Sequence, residues 1–234
     1  MSAHFQEDTR QPAVNYPPPV RFIGHFFSVL FHPMFIPAYI TAYLVFVDNY
    51  AYADFTYQGK LFRLISVFDN TAFLPVFCIF LTWRLKFIDS IFLRTRKDRI
   101  IPYIICMTFY FWAWYTSRNF RGDNGLHDSP ELTAMLLGIF IASIVGMMAN
   151  IYFKISMHGL AAGILLVFFA WLVFNGSQLS GALLPVRGFF ALAVFISGLM
   201  LTARFIVSNH DAREIYIGFF AGALCQLIAI VITG

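Results

Sequence analysis

Long apolar runs govern what this chain can become. Seven of them, residues 22–47, 64–83, 100–117, 132–153, 159–174, 183–202 and 215–233, follow one another with short polar breaks. A helix needs about 20 largely apolar residues to cross a bilayer. Within the hydrocarbon only helices and closed barrels satisfy every backbone group. A barrel would show strands of about 10 residues with alternating polarity, and the runs do not alternate. The expectation is an all-α, polytopic integral membrane helix bundle with about seven transmembrane helices; six with one re-entrant or interfacial piece is the alternative. The second run is the weakest, because Asp69-Asn70 interrupts it. A span starting after that pair would leave residues 61–68 in the interface.

Composition agrees with a lipid solvent. The 234 residues are 59% hydrophobic and only 12% charged, against about 25% charged in soluble domains. That length fits one domain. The net charge of +4 carries no nucleic-acid reading, since membrane proteins collect Lys and Arg in loops for topological reasons. Cys78, Cys106 and Cys225 lie in apolar runs and match no metal or disulfide spacing. Residues 1–21 are polar, with Glu7, Asp8 and Arg10 ahead of Pro17-Pro18-Pro19. They lack the pattern of a signal peptide and read as a disordered tail with a proline stop, leaving 22–234 as the membrane-embedded domain.

Two small-residue patterns stand out, Gly159-Leu-Ala-Ala-Gly163 and Gly218-Phe-Phe-Ala-Gly222. Small residues four apart let helices approach closely, so both are expected at helix contacts. Eleven of the 16 Lys and Arg residues fall on the side holding the N-terminus and the loops after the second, fourth and sixth runs. The positive-inside rule then places that side in the cytoplasm.

Every strong polar cluster is on that same side. The clusters are Arg94-Thr-Arg-Lys97-Asp-Arg99-Ile-Ile-Pro102, Lys154-Ile-Ser156-Met-His158-Gly159, and Arg204 through His210 to Glu214. Each has a plain reading alone: a positive-inside anchor, a snorkelling Lys beside an interfacial His, and a charged loop. Together they supply the parts of phosphoryl transfer. Fixed positive charge stabilises a phosphoryl group in transfer. A neutral His is nucleophilic near neutral pH, and a carboxylate four residues on along a helix can reach it. His158 falls where the fifth span begins, so the helix N-terminus adds partial positive charge. Ser208, Asn209 and Asp211 read as capping and first-turn residues of the last span.

The three loops resemble a divergent version of the signature of the type 2 phosphatidic acid phosphatase superfamily, which includes vanadium haloperoxidases. That signature is Lys-x6-Arg-Pro, Pro-Ser-Gly-His, and Ser-Arg-x5-His-x3-Asp. Here the counterparts are Lys97-Asp-Arg99-Ile-Ile-Pro102, Ile155-Ser156-Met157-His158, and Ala203-Arg204-x5-His210-x3-Glu214. The third keeps its spacing throughout. The second loses Pro and Gly, and the first loses both the six-residue gap and the Arg-Pro pair. Phe31-His32-Pro33 also looks like a bacterial branch of this superfamily.

The resemblance implies a bacterial inner-membrane enzyme that hydrolyses a lipid phosphate or diphosphate through phosphohistidine, without metal or cofactor. His210 would be the nucleophile, Glu214 the residue holding its other ring nitrogen, and His158 the general acid. Arg204, Arg99 and Lys97 would bind the phosphate oxygens, with Ser156 donating a further hydrogen bond. The partner would be a membrane lipid substrate. A non-catalytic descendant that binds lipid phosphate or supports an assembly is the alternative, motivated by Met157 where the family has Gly. A transporter using His25, His32 and Asp69 as a relay ranks last, for want of an internal repeat. His25 and His32, seven apart in the first run, would share a helix face, and His32 beside Pro33 could bond a carbonyl freed by the kink.

Overall fold

The computed structural model describes residues 16–48, 52–88, 96–121, 127–176, 183–207 and 211–233. Among them the chain is all-helical. The helices are α1 (Pro18–Leu30), α2 (Ile36–Asp48) and α3 (Tyr57–Arg84), α4 (Arg96–Arg118), α5 (Pro130–Tyr152), α6 (Met157–Phe174), α7 (Leu183–Val207) and α8 (Ala212–Thr233). Five are long and apolar enough to cross a membrane: α3, α5, α6, α7 over Val186–Val207, and α8. α2 is apolar but shorter. α4 has ample length, but its Tyr, Trp and Thr residues dilute its apolar character.

Local chemistry sets the helix ends. Pro18 and Pro19 occupy the first turn of α1, where an N–H would lack a helical partner anyway. The proline run therefore starts a helix inside the stretch read as tail, rather than stopping one. At the other end Pro33 has no N–H to offer Val29, so the His32 N–H turns to the Val29 carbonyl at 3.2 Å and the helix closes at Leu30. Ser129 caps α5, its Oγ accepting from the Leu132 N–H at 3.0 Å. Thr56 caps α3 in the same way through Gly59.

The Asp69-Asn70 pair does not break its span. The helix runs through it as a π-type turn over Asp69–Phe73. Asn70 Nδ2 donates to the Ser66 carbonyl at 2.9 Å and Thr71 Oγ1 to Val67 at 2.8 Å, so carbonyls one turn back take these two donors. Residues 61–68 are thus part of one long helix, Tyr57–Arg84.

The centre of the bundle is α6 against α8, flanked by α5 and α7, with α4 outside α5 and α1 outside the end of α7. The two glycine patterns face each other there. A Cβ on Gly159 would sit 2.6 Å from the Ile215 carbonyl oxygen, and one on Gly218 would sit 2.6 Å from that of Ser156. One turn deeper, Gly163 meets the Phe219 carbonyl and Gly222 that of Leu160, closer still. The backbones touch over two turns, as small residues four apart allow.

At the end of the bundle away from the polar loops lies a buried ion pair. Arg63 of α3 pairs with Asp128, just before α5, and their side chains are 4% and 0% exposed. Asp128 also accepts from Tyr52 Oη at 3.1 Å and from Ser117 Oγ at 2.8 Å. Burial pushes the Asp128 carboxyl up, while Arg63 and the two hydroxyls pull the other way. Arg63, one of the five Lys and Arg residues assigned above to the opposite side, is thus an internal cation. The cluster ties α3 and the 52–56 turn to the junction of α4 and α5.

Candidate phosphate site

Three helix ends and one helix break meet at the other end of the bundle. The N-terminus of α6 brings Ser156 and His158. Ser156, fully buried, caps the helix with its Oγ accepting from Gly159 N–H at 3.3 Å. Its own N–H donates to the Glu214 carbonyl at 3.2 Å, which fastens the α5–α6 connection to the start of α8. His158, in the first turn of α6 and 8% exposed, faces α1. Its Nε2 lies 3.0 Å from the Ser28 carbonyl oxygen and 3.2 Å from Ser28 Oγ. A carbonyl only accepts, so Nε2 carries the hydrogen.

Arg204, in the last turn of α7, reaches the same residue. Its Nη1 donates to Ser28 Oγ at 3.3 Å. Arg99 of α4 lies near enough to be felt electrostatically at Arg204, and Arg204 is felt at His32. The His32 ring meets the His158 ring edge-on, with centroids 5.4 Å apart. The arrangement gathers guanidinium charge, an imidazole N–H and a helix N-terminus around two oxygens of one serine. Such donors suit an anion with several oxygens.

His158 and Arg204 of the residues singled out from sequence thus come together, with Arg99 in electrostatic range and Glu214 joined through its backbone. The Lys97 side chain and the whole of His210, Ser208 and Asn209 lie outside the described residues. Met157 directs its sulfur to Tyr103 of α4, whose hydroxyl donates to it at 3.0 Å, and toward Gly146 of α5.

Two expectations for α1 do not hold. His25 and His32 do not share a face, because the helix ends between them; His25 is exposed while His32 turns toward His158. Nor is a freed carbonyl the visible partner of His32: its Nδ1 receives the Met34 N–H at 3.4 Å, and its ring packs on His158. Instead His158 takes the freed carbonyl, that of Ser28. Sequence reasoning passed over Ser28, a lone serine in an apolar run. The signal was Pro33, which ends the helix and leaves the last carbonyls of α1 to seek partners. Comparison of the chain with protein-family models, with curated proteins and with solved structures gives no match in any of the three.

Proposed function

We propose that the chain is an integral membrane phosphatase acting on a lipid phosphate or diphosphate. The observation that supports this reading is the convergence of Arg204 and His158 on one pair of oxygens at the bundle end, with Arg99 in electrostatic range. In the reaction, His210 attacks phosphorus and the bond to the leaving oxygen breaks. His158 gives that oxygen its proton, and Arg204, Arg99 and Lys97 hold the remaining oxygens. Glu214 fixes the His210 ring, and Ser156 adds a hydrogen bond. Water then attacks the phosphohistidine, releasing phosphate and restoring the imidazole. The residues suffice without metal or cofactor.

On this reading the crossings number seven: the five long apolar helices, the aromatic α4, and the broken pair α1–α2. The site faces the cytoplasm of a bacterial inner membrane, following the Lys and Arg count. A second reading, a non-catalytic subunit that binds lipid phosphate, gains from one contact. Ser28 already engages the Nε2–H that a general acid must deliver to the leaving group.

Phosphate release by the purified protein, with EDTA present, separates the two. The panel is phosphatidic acid, phosphatidylglycerol phosphate and polyprenyl diphosphate, run against His210→Ala. Release that survives EDTA and vanishes in the variant supports the phosphatase. A folded protein that releases none from any member rejects it in favour of the binding subunit.

A further inference from the structure

Ser28 holds the place an anion would take. Its carbonyl oxygen and hydroxyl oxygen are the two atoms on which His158 Nε2 and Arg204 Nη1 converge, at 3.0, 3.2 and 3.3 Å. The carbonyl is available because Pro33 ends α1. The Phe31 N–H goes to Phe27 and the His32 N–H to Val29, so no N–H continues the helical ladder to Ser28. The C-terminal end of α1, with its partial negative charge, thereby lies against the N-terminal end of α6, with its partial positive charge. An anion at the start of α6 needs the same donors and the same end of the same dipole.

The way α1 is attached permits exchange. It packs principally on the end of α7, where Gly24 approaches so closely that a Cβ would lie 2.6 Å from Val207 Cγ2. Beyond it the chain passes through the turn at residues 31–35 before α2 begins. That turn, with its break in helical bonding, can absorb a rotation of α1, which would release the one bond from α2 shown to its end, Tyr39 Oη donating to the Leu30 carbonyl at 2.9 Å. The outward side of α1 is apolar, with Phe22, Ile23, Phe26 and Val29 all exposed. In a bilayer those side chains meet lipid, so α1 stands between the polar cluster and the membrane.

We propose that Ser28 is an internal ligand filling the site between His158 and Arg204, and that a phosphate group binds by displacing it as α1 swings at the 31–35 turn. The inference rests on the phosphate-site reading above and adds its regulation: the resting site is occupied by the protein itself. Opening of α1 exposes the site on the lipid side. A phosphate carried on a membrane lipid then arrives beside the donors that Ser28 has vacated. The apparent affinity for phosphate is the intrinsic one reduced by the fraction of molecules with α1 displaced.

The test reads binding of inorganic phosphate and of vanadate to the full chain in detergent, independently of hydrolysis. Ser28→Ala removes one of the competing oxygens, and a several-fold gain in phosphate affinity is expected. A loss instead would mean that Ser28 helps to hold the anion, and would overturn the inference. The pair Gly24→Cys and Val207→Cys, oxidised to a disulfide, pins α1 on α7. Affinity should fall at least tenfold and return on reduction, while Gly24→Cys alone shows no response to oxidant. Affinity unchanged by the cross-link refutes the swing.

The two proposals fail separately. Phosphate binding in the expected order without hydrolysis removes the phosphatase and leaves the internal ligand. Hydrolysis lost in His210→Ala, with binding indifferent to both α1 variants, removes only the internal ligand. No phosphate or vanadate binding in any variant, reduced or oxidised, overturns both.

Discussion

Replacing Asp128 with alanine isolates the buried pair at the far end of the bundle. The Arg63 guanidinium would keep its charge but lose its counter-ion, and the Tyr52 hydroxyl would lose its acceptor, while Ser117 would keep only Thr133 Oγ1 at 3.3 Å. At 4% exposure Arg63 has almost no water to turn to. The Phe120 ring, 5.3 Å from the guanidinium carbon, stays in place but is no substitute for a carboxylate. Breaking a buried pair by removing one partner costs about 3–5 kcal/mol; at roughly 2–4 °C per kcal/mol for a chain this long, the unfolding midpoint drops by about 6–20 °C. Thermal unfolding in detergent, followed by circular dichroism, measures it. The double variant Arg63→Met, Asp128→Leu removes both charges and keeps apolar volume, so most of the loss should return. A single variant with an unchanged midpoint, or a double variant no better than the single, would show that the buried pair does not hold this end of the bundle.

Three further outcomes are expected. Gly222→Val drives a side chain into the Leu160 carbonyl and should cost about 1–3 kcal/mol by overpacking. Gly198→Ala, with nothing within 4 Å of its Cβ, should leave the midpoint unchanged or raise it slightly; equal losses in the two variants would dismiss the close α6–α8 contact. Burial and the Asp128 charge hold the Tyr52 phenol well above its ordinary range. Its stabilising contribution is therefore full below the ordinary tyrosine value of about 10 and fades as pH rises toward the folded value. Between pH 9 and 11 Tyr52→Phe should lose less stability than the unsubstituted chain, and parallel midpoint curves would count against this. His158→Ala should slow lipid phosphate hydrolysis by about 10²–10⁴-fold, the usual share of a general acid, and undiminished turnover would remove His158 from the mechanism.

The five long apolar helices were legible because lipid demands apolar side chains along the whole length of a helix, and hydropathy records that demand directly; the count of seven was not. The glycine patterns were legible for a similar reason: Gly159 and Gly163 meet Gly218 and Gly222 backbone to backbone, and only a missing Cβ permits it. Asn70 misled because its polarity was weighed without the acceptor one turn back, the Ser66 carbonyl. Arg204 and His158 could be picked out as polar residues at the edges of apolar runs. Ser28 was legible only through Pro33, because its contacts depend on a freed carbonyl and not on its side chain alone. The Arg63–Asp128 pair joins positions far apart in sequence, and nothing in either neighbourhood announces the other.

The most direct measurement is covalent trapping of the intermediate. The purified protein is mixed with lipid phosphate labelled with ³²P in the presence of EDTA, quenched in alkali, and counted for label that is stable to base and released by acid. The account predicts acid-labile label on the unsubstituted chain and none on His210→Ala. Hydrolysis that proceeds with no trapped label, or with label undiminished in His210→Ala, would contradict the phosphohistidine mechanism.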